Sequence, residues 1–570
     1  MNAPTATALI DSFPGAGHRT DGDFNLDKKG LGMLANEAVF DFIVSGAGSA
    51  GCAVAARLSE SGQYSVLLLE AGPRDTNPWI HVPLGFTKVF TDPKVNWKFE
   101  SEPVASLDNR VLYQPRGKVL GGSSSINGTV YIRGQHGDYD EWRQRGLEGW
   151  DWESVLPFFK KAEDNQRGGD DLHGVGGPLR VSDIPHPWDL PSAMVAAAVE
   201  AGVPANPDFN GPDQEGAGFY QFTATNKRRW SSARAYLTPS KNRKNLHIET
   251  SAQARRVLIE GGRAVGVEYQ SPGGIRTARA RREVVVSGGA FGSPHLLQLS
   301  GVGPGELLQE MGIEVLRNLP GVGSHLRDHF NTYLSFRCAQ PVTMNDLAIS
   351  LPRRLLAGVQ YALLQSGPLT STGVCAGAFV RSDPRLERPD LQINMFNWSA
   401  ERRTRDNVIP HPFSAFTLSP VHLRPDCDGS VRLKSPDPLA APAIRYEFLR
   451  SEYDKQAILY GMRLARKIAK QPALKDFMVE EVLPGPGVSS DEELLADVRA
   501  RAVANYHPVG TCRMGDELDS ATSARLRVHG IDCLRVADAS IMPSIVAGNT
   551  NAPSIMIGEK CAAMMLEDAR

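Results

Sequence analysis

Residues 40–51 read FDFIVSGAGSAG, and this stretch decides the fold. Its first half is an apolar run that is typical of a buried strand. The run ends in a G-x-G-x-x-G pattern formed by Gly46, Gly48 and Gly51. Residues 52–69 then predict a packed helix followed by a second buried strand. Together they form a βαβ unit with the glycine pattern at its turn, the arrangement that binds dinucleotides.

Each position of this unit has a predicted task. Gly46 allows the tight turn, Gly48 lets the backbone approach a pyrophosphate, and Gly51 brings the helix against the strand. The start of the helix offers free N–H groups and the positive end of its dipole to the phosphates. Glu70, 19 residues after Gly51, is placed to accept hydrogen bonds from the adenosine ribose. A dinucleotide is therefore expected, and this unit alone leaves FAD and NAD both open.

The composition favours a globular chain that acts on a small molecule. Apolar residues make up 41% of the 570 positions and charged residues 22%, near the averages of globular proteins, so wholesale disorder is excluded. Lys and Arg number 62 against 64 Asp and Glu, a formal net charge of −2. Because there is no basic excess to neutralise phosphates, the composition argues against a nucleic-acid partner.

The cysteine pattern and the lengths of the apolar runs bear on the cellular compartment of the protein. The seven cysteines form no C-x-x-C pair, so neither a disulfide framework nor a metal site is expected, and a reduced, cytoplasmic compartment fits best. Residues 1–30 lack a basic start followed by an apolar run, so we expect no secretory signal there. The sequence contains no run of about 18 consecutive apolar residues, so a membrane-spanning helix is not expected. Peripheral association with the inner membrane is left open.

Two later segments resemble the first unit, and other material separates the three. Residues 283–287 predict a strand before a glycine-rich turn and an apolar helix, and the last 70 residues return to strand, turn and helix. Alternating strands at 391–395 and 430–434 and an amphipathic helix at 452–470 lie between them. This pattern predicts an α/β fold (α+β overall). Its Rossmann-like nucleotide-binding domain is discontinuous in sequence and is accompanied by a separate substrate domain.

Two glycine-rich segments bear on the choice of cofactor. Residues 115–128 read PRGKVLGGSSSING, and residues 287–303 read SGGAFGSPHLLQLSGVG. Glycines and serines allow a backbone to lie flat against a planar ring and to donate hydrogen bonds to it. Both segments resemble signature patterns of the glucose–methanol–choline (GMC) oxidoreductases, which bind FAD. The resemblance extends from about residue 38 to the C-terminus, 533 of 570 residues. It is strongest to bacterial aliphatic alcohol dehydrogenases and choline dehydrogenase-like proteins.

This resemblance implies an FAD site, and it implies a substrate domain built on an antiparallel sheet backed by helices. It places Asn551 at the pyrimidine side of the flavin. A helix predicted from about Ile555 would then direct its N-terminus at the negative charge that develops there. The residues expected at the cofactor are Gly46, Gly48, Ser49, Ala50, Gly51, Glu70, Ala71, Gly121, Gly122, Ser123, Asn127, Gly128, Asp538, Ala539, Asn551 and Pro553.

Domain boundaries follow from the same comparison. An N-terminal arm (1–37) is expected to precede an FAD-binding domain made of three separate segments. These are a first segment (38–160), a second segment (226–330) and a third segment with the catalytic residues (500–570). A substrate or cap segment (161–225) and a substrate-binding domain (331–499) are expected between them.

Oxidation of an alcohol requires removal of the hydroxyl proton and transfer of a hydride, which flavin N5 accepts. A histidine is suited to take the proton because its ordinary pKa is close to working pH. The resemblance assigns that base to His507, in the sequence Tyr-His-Pro-Val-Gly-Thr, and assigns its partner to Asn549, 42 residues later. An amide can orient the alcohol oxygen but cannot act as the base. Without the resemblance, both asparagines would read as turn residues.

Two departures from the family pattern narrow the expectation. Some members attach FAD covalently through a histidine where this chain has Ile126, so noncovalent FAD is expected. Choline-oxidising members carry a glutamate near the position of Cys375, and this chain has no carboxylate there. Cys375 is expected to be a small pocket or core residue.

The resulting prediction is FAD-dependent oxidation of primary alcohols to aldehydes, with electrons passed to a quinone or another acceptor that is not NAD. A choline dehydrogenase or an oxygen-using alcohol oxidase of the same family stays open as an alternative. A lyase on the same fold and a noncatalytic flavoprotein are weaker alternatives. Neither the alcohol nor the oligomeric state follows from the sequence.

Overall fold

The computed structural model describes residues 37–183, 188–225, 227–516 and 518–570. The predicted arm, residues 1–37, lies outside these residues apart from Glu37. Within them, two large sheets each have a hydrophobic core of their own, and both contribute to the wall of one large cavity.

The first sheet, here called the mixed sheet, contains five parallel and two antiparallel strands within the described residues. Every residue of Val66–Glu70 is buried, as expected for a parallel strand covered on both faces. In spatial order the sheet runs Leu246–Thr250, Val66–Glu70, Glu37–Ser45, Gly274–Val286, Arg263–Ser271 and Gln253–Glu260, and Leu534–Val536 also pairs with Gly274–Val286.

Two helices pack on each other beside the mixed sheet. Ser49–Leu58 follows the glycine turn, and Asn551–Asp568 closes the chain. Their backbones approach closely because Gly558 faces Ala50, where a Cβ on the glycine would lie 2.5 Å from the alanine carbonyl oxygen. The small residues of both helices therefore allow this contact. It joins segments about 500 residues apart in sequence into one domain.

The second sheet is antiparallel. Leu190–Glu200 and Glu452–Ala469 pack against it, the latter through a buried apolar face that includes Ile458, Met462 and Ala465. Its strands run in the spatial order Met478–Leu483, Leu334–Cys338, Ala415–His422, Leu391–Phe396, Val374–Val380 and Gly216–Phe219, with Phe330–Asn331 and Val503–Ala504 paired at one side.

The remaining elements connect and flank the two sheets. The other α-helices of the described residues are Pro78–His81, Phe86–Val89, His136–Gln144, Trp152–Ala162, Thr238–Ser240, Gly289–Leu299, Gly305–Glu310, Asn345–Ile349, Leu351–Leu364 and Asp491–Arg501. The other strands are Phe99–Glu100, Tyr113–Gln114, Val130–Tyr131, Glu163–Asn165, Leu179–Val181, Gln221–Phe222, Val302–Gly303, Arg317–Asn318, Ala400–Arg403, Val408–Pro410, Ser430–Arg432 and Ala443–Arg445.

The fold class is confirmed: a nucleotide-binding domain, discontinuous in sequence, is combined with an antiparallel sheet backed by helices. The exact domain boundaries stay predictions. The closing helix begins at Asn551 rather than near Ile555, because a proline such as Pro553 is tolerated in the first turn of a helix. Among the described helices, none combines the length and apolar character needed to span a bilayer.

Candidate active site

A cavity of ≈ 730 Å³ lies between the two sheets. Ser45 and Glu70, at the carboxyl ends of parallel strands, line it from the mixed sheet. Val374 and Asn394 line it from the antiparallel sheet. Ligands of open α/β sheets bind at the carboxyl ends of the strands, so the cavity occupies the position expected for a dinucleotide.

The three glycines of the fingerprint are needed for different reasons: two for the fold of the backbone and one for the space beside it. Gly46 has a φ of 110° and Gly51 faces the Gly46 carbonyl oxygen, so the fold itself demands glycine at both positions. A Cβ on Gly48 would instead meet nothing within 4 Å. Gly48 lines the cavity, so the space beside it is left for a ligand.

The helix that follows the fingerprint offers its N-terminus to the same space. Gly48 is its N-cap and supplies no side-chain hydrogen bond, and the first turn carries no acidic residue. Gly48, Ser49 and Ala50 all line the cavity. Unpaired N–H groups and the positive end of a helix dipole bind phosphate oxygens, so this turn fits a diphosphate.

Glu70 is buried at the end of its strand and faces the cavity. Its carboxylate accepts hydrogen bonds from the N–H of Ala47 (3.1 Å) and from the N–H of Gly72 (2.8 Å). Burial raises the pKa of Glu70 to about 7 against the opposing effect of these donors. Each carboxylate oxygen keeps a lone pair, so Glu70 can still accept from ribose hydroxyls.

The second glycine-rich segment lies across the fingerprint. Gly121 donates its N–H to the Ala47 carbonyl at 2.8 Å. A Cβ on Gly122 would lie 2.7 Å from the Gly48 Cα, so glycine is required at this crossing. Asn127 accepts a hydrogen bond from the buried guanidinium of Arg229 at 2.7 Å, which fixes its side chain at the cavity wall. Sequence reasoning missed Arg229, since only the fold brings it beside this loop.

Asp538 and Asn551 tie the C-terminal segment to the two earlier turns. Asp538 accepts hydrogen bonds from the Gly289 N–H (2.9 Å) and the Ser293 hydroxyl (2.5 Å). The Ser49 hydroxyl donates to the Asn551 side chain at 2.8 Å. The three strand–turn–helix segments therefore converge on one wall of the cavity.

Most of the predicted cofactor residues reach the cavity, although contact with a cofactor is still a prediction. Three lie behind the wall: Gly51 faces the Gly46 carbonyl, Gly121 faces the Ser125 side chain and donates to the Ala47 carbonyl, and Pro553 is buried in its helix. Those that line the cavity are Gly46, Gly48, Ser49, Ala50, Glu70, Ala71, Gly122, Ser123, Asn127, Gly128, Asp538, Ala539 and Asn551.

The predicted base and its partner are neighbours in the cavity wall. Nε2 of His507 lies 3.0 Å from Nδ2 of Asn549. Both side chains line the cavity. The side-chain oxygen Oδ1 of Asn549 is buried and has no hydrogen-bond partner within the described part of the chain. The Nδ2 atom of Asn549 carries a second N–H, which can donate to an oxygen atom bound beside His507 Nε2.

The imidazole of His507 is held in its neutral form. Burial, with the nearby guanidinium of Arg116, lowers the pKa of His507 to about 3. The expectation of a pKa close to working pH is therefore wrong, because sequence alone shows neither the burial nor this cation. A neutral ring at physiological pH keeps a lone pair that can accept a proton, and in this structure the Asn549 amide lies 3.0 Å from Nε2, where that lone pair is needed.

His329 and Asp328 complete the support of His507, and sequence reasoning did not assign them a role. Nδ1 of His329 lies 3.0 Å from Nδ1 of His507, and His329 is fully buried. Burial also lowers the pKa of His329 well below its usual value, so this ring is neutral. The Asp328 carboxylate accepts a hydrogen bond from the backbone N–H of His507 at 2.8 Å. Asp328 and His329 belong to the stretch that carries the family resemblance. The contact of His329 with His507, 178 residues later in the chain, could not be read from the sequence.

Two family models cover this site. The N-terminal model of GMC oxidoreductases matches residues 40–331, and the C-terminal model matches residues 425–558. The chain belongs to the GMC oxidoreductase family. The family resemblance inferred from the sequence is thereby confirmed, and the chain is an FAD-dependent oxidoreductase.

The relatives of this GMC oxidoreductase match it over nearly its full length. It is 43% identical to an alcohol dehydrogenase [acceptor] of Pseudomonas putida, over 93% of this chain and 96% of the relative. It is 42% identical to the mitochondrial choline dehydrogenase of Mus musculus, over 92% of this chain and 89% of the relative. The two identities are nearly equal, so they do not choose between the two substrates.

Solved structures share its fold. Pyridoxine 4-oxidase from Mesorbium loti superposes with a TM-score of 0.83 at 29% identity, over 92% of this chain and 98% of the other. A variant of Aspergillus oryzae RIB40 formate oxidase, studied for FAD modification, gives a TM-score of 0.85 at 27% identity, over 93% and 98% of the two chains.

The residues of this GMC oxidoreductase fit FAD. The open space at Gly48, the uncapped helix start beside it and the acceptor Glu70 suit a diphosphate and a ribose. The helix that begins at Asn551 turns a second N-terminus toward the cavity, beside His507. When bound, FAD supplies a flavin that accepts a hydride.

Proposed function

We propose that this enzyme oxidises primary alcohols with an apolar chain to aldehydes, with His507 as the base and noncovalently bound FAD as the hydride acceptor. The observation that carries the proposal is the 3.0 Å contact between His507 Nε2 and Asn549 Nδ2 in the cavity wall. An alcohol that displaces the Asn549 amide from Nε2 would give its hydroxyl proton to Nε2, and its oxygen would still lie within reach of an Asn549 N–H. Removing the proton leaves the carbinol hydride ready for transfer.

Asn549 positions the alcohol, and His329 holds the base in the correct tautomer. For Nε2 to accept a proton, the hydrogen of the His507 ring must sit on Nδ1. His329 Nδ1, 3.0 Å away, is the acceptor for that hydrogen. His329 is neutral and buried, so it can accept without competing for the substrate proton.

The substrate side of the cavity favours an apolar alcohol over choline. Its wall includes Phe90, Val374, Phe396, Trp398 and Val408. Among the described lining residues the only carboxylates are those of Glu70 and Asp538, and backbone N–H groups already engage both. The Arg403 guanidinium lies over the Phe396 and Trp398 rings, so a quaternary ammonium would meet a cation and no anion here. Choline oxidation is the second candidate because choline dehydrogenases are 41–42% identical to this chain.

Three further features complete the proposal. Ile126 faces the cavity with a side chain that cannot form a bond to flavin, which supports noncovalent FAD. The relative from Pseudomonas putida is an acceptor-type dehydrogenase, which supports a quinone or similar acceptor over oxygen. All seven cysteines are free, which supports a reducing, cytoplasmic compartment.

Anaerobic reduction of the flavin tests the proposal. Purified holoenzyme is mixed with aliphatic, aromatic and polyether alcohols and with choline, and the loss of visible flavin absorbance is followed. We expect aliphatic primary alcohols to bleach the flavin and choline to leave it oxidised. His507→Ala should lower the bleaching rate by about 10²–10⁴ while FAD content stays unchanged. Bleaching by choline alone would favour the second candidate, and bleaching by none would contradict both.

A further inference from the structure

One helix of the antiparallel-sheet side exposes large apolar side chains along most of its length. Leu351–Leu364 packs on the protein through few residues, and Leu356 and Leu363 are 66% and 77% exposed. Contiguous exposure of this kind marks an interaction site, whereas single exposed leucines need no explanation. We call this surface the outward apolar face, and it consists of Leu351, Leu355, Leu356, Val359, Leu363 and Leu364.

The helix has its amphipathic pattern turned away from the core. Leu351, Leu355, Val359 and Leu363 recur every four residues and form one exposed row. Ala357, which is buried, points about 160° away from Val359 at 100° per residue. A surface helix of a globular protein normally turns its apolar row inward, so this face is built to be covered by something else.

The narrow inner side of the helix is nevertheless firmly anchored. Ala357 packs in a cluster with Leu84, Met344 and Leu369. The Tyr361 hydroxyl donates to the Lys227 carbonyl at 2.7 Å. Ser350 caps the helix by accepting from the Arg353 N–H. The exposed row is therefore a fixed surface.

Charge around this face is positive. The helix carries Arg353 and Arg354 and no acidic residue, and the sequence contains no Asp or Glu between Asp346 and Asp383. Asp346 is itself buried, where it accepts from the Thr343 N–H at 2.8 Å. Lys227 and Arg228 lie beside Tyr361 and add positive charge. An apolar row flanked by arginines matches the acyl boundary and the headgroups of an anionic bilayer.

The face lies on the substrate side of the molecule. A smaller apolar cavity of ≈ 50 Å³ separates the helix from the active-site cavity and is lined by Leu84, Arg354 and Ala357. The residues that line both cavities are Phe86, Thr87, Trp398 and Val408. A wall of four residues, three of them apolar, therefore separates the smaller cavity from the active-site cavity.

We propose that the outward apolar face docks this enzyme on the surface of an anionic lipid bilayer. The helix lies in the plane of the interface, its apolar row enters the headgroup–acyl boundary, and Arg353 meets lipid phosphates. Docking itself does not depend on the reaction. Entry of an apolar alcohol or a quinone from the bilayer, through the wall shared by the two cavities, rests on the function proposed above.

Vesicle sedimentation with the full-length holoenzyme tests the docking. Vesicles of phosphatidylglycerol and phosphatidylcholine are compared with vesicles of phosphatidylcholine alone, in the absence of substrate. We expect the enzyme to sediment with the anionic vesicles and to be released by high salt. The triple variant Leu356→Ser, Val359→Ser, Leu363→Ser should lower the partition coefficient at least about tenfold. The matched control Val111→Ser, Ile275→Ser, Val479→Ser changes exposed apolar residues elsewhere and should sediment like the unaltered enzyme.

The charge contribution is tested separately with Arg353→Glu, which should weaken binding to anionic vesicles by about tenfold. Arg450→Glu, which makes the same charge change away from this face, should have little effect. Bleaching of the flavin by a water-soluble alcohol should be equal in the triple variant and the unaltered enzyme, so docking and catalysis are measured independently. The proposal is overturned if the unaltered enzyme does not sediment with anionic vesicles, or if the triple variant sediments with them as the unaltered enzyme does. It is also overturned if light scattering shows that the triple substitution merely splits a dimer.

Discussion

The two ends of the cavity are built in different ways. The end around Gly48 is backbone: two glycine-rich turns cross where a Cβ on Gly122 would lie 2.7 Å from the Gly48 Cα, and the uncapped start of the helix Ser49–Leu58 faces the cavity. The end around His507 is side chain: Asn549, His507 and His329 form a row of contacts at 3.0 Å. The backbone end depends on glycines, which leave room because they have no Cβ atom. The side-chain end depends on distant residues that the fold brings into contact.

The largest expected effect separates two kinds of glycine at the backbone end. Gly51→Ala places a Cβ against the Gly46 carbonyl oxygen, so we expect loss of soluble holoenzyme. Gly48→Ala adds its Cβ to open space, so the apoprotein should keep its melting temperature while the affinity for FAD falls. Thermal unfolding of the apoproteins and FAD titration measure the two effects. Equal damage to the apoprotein by both substitutions would show that the space at Gly48 is not reserved for the cofactor.

At the side-chain end, His329 should act through His507 rather than on the substrate. His329→Ala removes the acceptor for the His507 Nδ1 hydrogen, and we expect flavin reduction to slow by about 10–100-fold, with FAD content unchanged. His329→Asn can return an amide oxygen near the position of Nδ1 and should recover some of the rate. Stopped-flow reduction of the three proteins checks this order. If the asparagine variant is as slow as the alanine variant, His329 serves packing only.

The smallest expected effect is an absence of pH dependence. Because the fold lowers the pKa of His507 from the ordinary 6.5 to about 3, the ring stays neutral as pH falls through 6.5. The rate of flavin reduction should vary by less than about threefold between pH 5 and 8. A histidine with the ordinary pKa would lose about thirtyfold at pH 5.

Asn549→Asp supplies the matched variant for the pH experiment. A carboxylate in contact with His507 Nε2 would stabilise the imidazolium and raise the pKa of His507. We expect this variant to lose activity as pH falls into the range where the raised pKa lies. A loss near pH 6.5 in the unaltered enzyme would contradict the buried, neutral base.

The sequence by itself determined the nucleotide-binding fold and the family, and it predicted the backbone end of the site. The nucleotide-binding unit rests on short-range rules: a strand of apolar residues, glycines at fixed spacing and a helix that follows at once. The family rests on the resemblance of two longer glycine-rich segments, residues 115–128 and 287–303. The position of Glu70 follows from the length of one βαβ unit. The helix at 452–470 and the strand at 391–395 were predictable from their periodicity, and the structure places Glu452–Ala469 and Leu391–Phe396 there.

Only the tertiary structure decided the electrostatics of His507, the proposed base, and the orientation of the helix Leu351–Leu364. The low pKa of His507 arises from burial and from Arg116, a residue almost 400 positions away in the chain. The contact with His329 spans 178 residues. An amphipathic pattern shows that a helix has an apolar row, but it does not show whether that row faces the core or the solvent. Such contacts depend on how distant segments pack, and spacing within one segment does not encode them.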